Sequence, residues 1–132
     1  MNASDLQNRL KDFAYRIVPL CDSLPTRRIS NIIEDQLTRS VFSAAANYCA
    51  ACKAQSAKAF TAKLSIAFEE MDESLFWLKV ILDLKLINPE KLSLLIKEAD
   101  ELTRIFASSR KTSQKKRPRL LTNCSIFNNT FL

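Results

Sequence analysis

From Phe60 to Leu82 the apolar residues Phe60, Leu64, Ala67, Met71, Leu75, Leu78 and Leu82 fall at alternating steps of four and three. An α-helix turns once in about 3.6 residues, so this rhythm lays a single apolar stripe along one helix face. Sustained at this length, the stripe demands near-antiparallel packing against other helices with matching stripes. The chain supplies them. Leu6, Leu10, Phe13, Ile17, Leu20 and Leu24 form a first stripe. Ile29, Ile33, Leu37, Val41 and Ala44 or Ala45 form a second, and Leu92, Leu95, Ala99, Leu102 and Phe106 a last.

The helix ends have their own signals. Ser4 or Asp5 can cap the first helix, Thr26 the second and Ser56 the third, because their side-chain oxygens accept from unpaired first-turn N–H groups. Asn88-Pro89-Glu90 is the strongest start signal: a capping side chain, a proline at the first helical position and an acid in the first turn. Pro19 lies inside the first stripe and crowds the carbonyl of Tyr15, so a kink or an early end is expected there. The pattern predicts helices over about 5–22, 27–54, 57–85 and 89–108, all-α and arranged up-down-up-down. After Ser43 the second helix narrows to Ala44, Ala45, Ala46, Cys49, Ala50, Ala51 and Cys52, small enough for a neighbour to approach closely.

Composition removes whole classes of function. The 132 residues contain no glycine and no histidine. A glycine-rich phosphate loop and a dinucleotide fingerprint therefore cannot be built. The commonest general base and the commonest metal ligand are missing as well. No nucleophile–base pair stands out, so no enzyme, no cofactor and no metal is expected. No apolar run reaches the roughly 18 residues of a membrane span, so no membrane partner is expected either. The polar, acid-bearing start MNASDLQNRLKDF does not read as a secretory signal. With four cysteines and no such signal, reduced thiols and a cytoplasmic location are expected.

Charge is divided along the chain. Of the 20 Lys and Arg, six (Arg110, Lys111, Lys115, Lys116, Arg117 and Arg119) lie beyond Ser108, where there is no acid. Removing those six leaves 14 cations against 14 acids, so residues 1–107 are formally neutral and the net +6 belongs to the end of the chain. SSRKTSQKKRPR is polar, basic and broken by proline, which predicts a disordered tail over 109–132 after a bundle domain over 1–108. Such a cation cluster can neutralise phosphates and release counterions, or simply solubilise the protein.

Other candidates have competing readings. Gln36, Arg39, Ser43 and Asn47 share one face of the second helix, as a ligand row or, preferably, a polar network at a helix or subunit contact. Glu69, Glu70, Asp72, Glu73 and Asp83 read as a solvated acidic face, with Glu73 placed to pair with Arg39 across helices. Phe76 and Trp77 read as core or subunit packing before base stacking. Cys49-x-x-Cys52 sits late in a helix and lacks further ligands, so it reads as packing before zinc or redox chemistry.

Taken together, Gln36–Ser56, Phe60–Leu78 and, more loosely, Phe13–Pro25 and Leu95–Thr112 resemble the bacterial four-helix bundle protein family, also called the 23S ribosomal RNA intervening-sequence proteins. The markers are Gln36, Arg39, Ser43 and Asn47, then Ala50-Ala51-Cys52, then Asp72-Glu73-Ser74 before Phe76-Trp77-Leu78. Many members carry Glu-Gly where Ala50-Ala51 stand, and near relatives carry Arg where Cys49 stands. The resemblance implies a left-handed four-helix bundle able to form a homopentameric ring. It also implies similarity to the accessory protein of diversity-generating retroelements, a basic ring that binds nucleic acid and a reverse transcriptase. The expected function is a non-enzymatic, oligomeric bundle that binds RNA or DNA through the basic tail together with Arg27, Arg28, Arg39 and Lys53. The competing expectation is a protein-interaction scaffold that never touches nucleic acid.

Overall fold

The computed structural model describes residues 1–115, which form four helices and, among the described residues, no strand. These are α1 (Ala3–Asp22), α2 (Arg28–Cys52), α3 (Ala57–Asp83) and α4 (Pro89–Lys115). Short loops join them, so consecutive helices run antiparallel as an all-α, up-down-up-down bundle. α2 stands between α1 and α3, and α4 packs on α3. α1 and α4 meet along a much thinner seam. None of the described helices is long and apolar enough to cross a membrane.

The stripes face the core as the spacing requires. Leu64, Ala67, Met71, Leu75 and Leu78 are buried on α3, with Phe60 and Leu82 half-buried at the stripe's ends. Leu10, Phe13 and Ile17 of α1, Ile33, Leu37, Val41 and Ala44 of α2, and Leu92, Ala99, Leu102 and Phe106 of α4 complete the core. α2 and α3 share the most extensive contact. Short side chains make it possible: the hydroxyls of Ser40 and Ser74 lie 2.8 Å apart inside the interface. Each also bonds a carbonyl one turn back in its own helix, Leu37 for Ser40 and Glu70 for Ser74. These two buried hydroxyls, with two protons for three contacts, are each satisfied, whereas the buried Ser30 hydroxyl has no partner among the described residues.

The ends differ from expectation in instructive places. α1 begins earlier, at Ala3, because Asn2 rather than Ser4 or Asp5 is its cap. The Asn2 side chain accepts from the Asp5 amide at 2.8 Å, and the Asp5 carboxylate accepts from the Asn2 amide at 3.0 Å. That reciprocal box satisfies two end groups at once. Pro19 does not end α1, which continues to Asp22. Thr26 is not the cap of α2; Arg27 occupies that position without a side-chain bond. Ser56 caps α3 through the Ala59 amide, and Asn88 accepts from the Glu90 amide at the start of α4.

The exit of α3 shows how a chain without glycine makes a turn that favours it. Lys85 adopts φ 55°, the left-handed region. The Lys85 amide donates to the Leu82 carbonyl and the Leu86 amide to the Ile81 carbonyl, which satisfies the helix end. Leu86 and Ile81 are both buried, so apolar burial offsets the cost of a lysine in that conformation.

α4 is the largest departure. It does not fade at Ser108 but continues to Lys115. Two contacts with α3 hold the extra turns. The Arg110 guanidinium lies over the Phe68 ring, 5.5 Å from its centroid, and the Ser113 hydroxyl bonds the Thr61 hydroxyl. A cation over an aromatic face is attractive, and the aliphatic arm of arginine covers apolar surface. The part of the expected tail from Ser109 to Lys115 is thus helical. Residues 116–132, with Lys116, Arg117 and Arg119, lie outside the described residues.

Candidate nucleic-acid interface

The cations proposed from the sequence do not gather at one place. Arg27 and Arg28 stand at the N-terminal end of α2 and Lys53 at its C-terminal end. At about 1.5 Å per residue the helix separates them by roughly 35 Å. Antiparallel order then sorts the rest. The C-terminal ends of α2 and α4 and the N-terminal end of α3 share one end of the bundle, as the Thr61–Ser113 contact confirms. Lys53 therefore lies at the same end as Arg110, Lys111 and Lys115, while Arg27 and Arg28 lie at the opposite end.

Arg39 stands midway along α2, exposed and paired with acids. Its guanidinium pairs with Glu70 at 3.0 Å and with Glu73, both on α3. The expected Arg39–Glu73 pair is present, and Glu70 joins it. The same pairing accounts for part of the marker row. Ser43 and Asn47 bond each other locally, the Asn47 amide donating to the Ser43 carbonyl at 2.9 Å and to the Ser43 hydroxyl at 3.2 Å. Gln36 is half-buried on the same face. Of the row, Arg39 alone has a side-chain bond to α3 among the described residues.

Trp77 is half-buried on α3, and its indole N–H, buried, finds no acceptor among the described residues. Phe76 packs edge-on against it at 5.1 Å between centroids and remains 57% exposed. Ile66, also on α3, is exposed too. Cys49 and Cys52 are free and half-buried. Burial pushes the Tyr48 phenol up to about 12, and a hydrogen bond with Cys52 adds to the rise. Burial likewise raises the Cys21 thiol, which disfavours the reactive thiolate. Among the described residues, no group of three His, Cys, Asp or Glu side chains could hold a metal ion.

Two cations escaped the sequence reading. Lys58 and Lys63 are exposed on the first turns of α3, at the same end as Lys53 and the last turns of α4. A signal for them exists: no acid occurs from Gln36 to Phe68, and none follows Glu101. Counting charge over residues 1–107 as a whole conceals this. The body is neutral in sum but polarised along its length.

The comparisons with known proteins bear on the fold more than on the site. The family model for the 23S rRNA-intervening sequence protein matches residues 3–108. No curated protein matches the chain. Among solved structures, the chain is similar to a protein of unknown function from the S23 ribosomal protein family of Bacteroides thetaiotaomicron VPI-5482. The two share 29% identity over 84% of this chain and 99% of that one, with a TM-score of 0.75.

Proposed function

The chain belongs to the 23S rRNA-intervening sequence protein family, and from that starting point we propose a non-enzymatic, self-assembling bundle that binds RNA or DNA through phosphate contacts. The observation that carries this reading is the end of α4. Arg110, Lys111 and Lys115 stand on an ordered helix that leads directly into Lys116, Arg117 and Arg119 in the sequence, and no acid follows Glu101. Fixed cations lose less side-chain and backbone freedom on meeting a phosphate than cations on a loose chain. Binding is electrostatic, with little discrimination between base sequences, because phosphate contacts position a protein without reading bases. The free Cys21, Cys49 and Cys52 suit a reducing, cytoplasmic setting.

Titration of the full-length protein against nucleic acid over a range of salt tests the reading. Affinity should fall with salt, with a slope of about −0.9 per phosphate neutralised on a duplex. Removing residues 116–132 should flatten the slope in proportion to the phosphates no longer neutralised, and Arg110→Ala, Lys111→Ala and Lys115→Ala should flatten it further. The cut belongs after Lys115, because the preceding turns are docked on α3. A full-length protein with no salt-dependent binding at low salt would replace this reading with the protein-interaction scaffold.

Self-assembly rests on the α3 surface around Phe76, where an exposed aromatic adjoins the Trp77 indole N–H, which has no acceptor among the described residues. A homopentameric ring is the assembly that the family resemblance implies, and a reverse transcriptase is the protein partner implied by the retroelement accessory protein. A ring would also multiply a weak subunit affinity for nucleic acid. Light scattering at micromolar concentration should give a multiple of the 15.0 kDa chain. Phe76→Asp should shift the mass toward the monomer, and a wild-type monomer would remove the assembly from the proposal.

A further inference from the structure

We infer that the ligand of the basic end is the backbone of a nucleic-acid duplex, gripped by Lys53, Lys58 and Lys63 of the α2–α3 corner together with the α4 cations. This inference rests on the nucleic-acid reading above and deepens it. The argument begins with register. α3 and α4 run antiparallel, Thr61 meets Ser113, and Phe68 meets Arg110. Lys63 therefore stands level with the turn from Lys111 to Lys115, and Lys58 lies further toward the same end of the bundle, past the level of Lys115. Lys53 follows α2 at this end too, as its C-cap. Lys53, Lys58, Lys63, Lys111 and Lys115 are all exposed.

The opposing charge at this end is small. α2 has no acid after Asp35, α3 none before Glu69, and α4 none after Glu101. At the start of α1, the Asp5 carboxylate is engaged with the Asn2 amide. Arg104 of α4 is paired with Asp100 and is not counted with the free cations. Like charges gathered at one end of the bundle repel one another, and a polyanion relieves that repulsion while releasing its counterions.

The aromatic residues decide the form of the nucleic acid. Proteins that hold single strands combine a basic groove with exposed aromatic side chains on which bases stack. Here the aromatic faces at the basic end are turned inward. Phe106 is fully buried, Phe60 is half-buried against the core, and Phe68 lies beneath Arg110. Among the described residues, the exposed aromatics, Tyr15, Phe42 and Phe76, lie elsewhere along α1, α2 and α3. Among the described residues, this end offers cations on helices and no stacking platform, which suits a ligand whose bases are already stacked and paired.

The test uses the full-length protein, a short mixed-sequence DNA duplex and its separated strands. Wild-type protein should bind the duplex more tightly than either strand. The double variant Lys58→Ala/Lys63→Ala should flatten the duplex salt slope by about 1.8, from about 0.9 for each phosphate left without its cation. Lys79→Ala/Lys91→Ala, at the other end, should leave the slope unchanged. All four side chains are exposed, and the helical circular dichroism signal verifies that each variant folds. If the Lys58/Lys63 variant keeps the wild-type slope while the wild type binds, the α2–α3 corner is excluded and the α4 reading stands. If a single strand binds as tightly as the duplex, the duplex assignment is overturned. If the wild type shows no salt-dependent binding to either, the underlying reading and this inference fall together.

Discussion

Phe106→Ala is expected to cost about 3–5 kcal/mol, the usual range for deleting a fully buried aromatic ring. Phe106 has no exposed surface. Its ring meets Tyr48 at 5.5 Å between centroids, a contact between α4 and α2, which stand diagonally across the bundle. Both rings are buried in the close-packed core, so the space left by the phenyl group cannot close without moving a helix. A domain of this size is stable by about 5–15 kcal/mol in all, so the variant should lose a large share of its stability. Urea denaturation followed by circular dichroism measures the loss. Leu94→Ala, on the same helix but 65% exposed, is the control and should change stability by no more than about 0.5 kcal/mol. Equal effects of the two substitutions would contradict the packing described.

The core was readable because it depends on spacing alone. A four-three rhythm fixes which side of a helix is apolar, whatever the neighbours are, and so Leu64, Met71 and Leu78 are buried where the rhythm places them. Ser56 and Asn88 were readable for a similar reason, since a cap acts within a few residues. The end of α4 was not. Nothing within SSRKTSQK marks it as helical; Phe68 and Thr61 of another helix hold it in place. The cap of α1 was missed because Asn2, Ser4 and Asp5 can all accept from first-turn amides. The Asn2–Asp5 reciprocal pair supports the earlier start.

The candidate site divides along the same line. The Arg39–Glu73 pair was legible because Glu73 adjoins the Ser74–Trp77 marker on the helix that follows α2. That pairing gives Arg39 two acidic neighbours that the basic end lacks. The shared position of Lys58, Lys63 and Lys111 was not legible in a charge count, because it requires knowing that α3 begins where α4 ends. Topology, more than composition, converts a neutral body into one with a basic end.

The α1–α4 seam should respond to acid, and Arg9 is the reason. This seam is the thinnest in the bundle, and Arg9 of α1 bridges it with a fork to Glu98 of α4, at 2.9 Å from Nε and 2.6 Å from Nη2. Glu101 adds a contact at 3.0 Å. The Arg9 hydrogen bonds lower the Glu98 pKa; burial opposes them, and the charges of Arg9 and Arg16 add to the lowering. The folded chain therefore keeps Glu98 charged at pH values where the unfolded chain takes up a proton. The resulting stability is fully present above the ordinary carboxylate pKa, about 4.3, and is lost as the pH falls through the depressed folded value. Arg9→Met should cost about 1–3 kcal/mol at pH 7, between the values for exposed and fully buried pairs, because both side chains are only partly covered. The gap between wild type and variant should shrink as the pH is lowered from 7 to 3. Glu101→Gln, at a more exposed partner, should cost less than about 1 kcal/mol. Denaturant midpoints across that pH range read the effect. Amide exchange should show α1 losing protection first in Arg9→Met, as expected of the helix with the weakest closure. A gap that stays constant from pH 7 to pH 3 would mean that the Arg9–Glu98 pair does not control the seam.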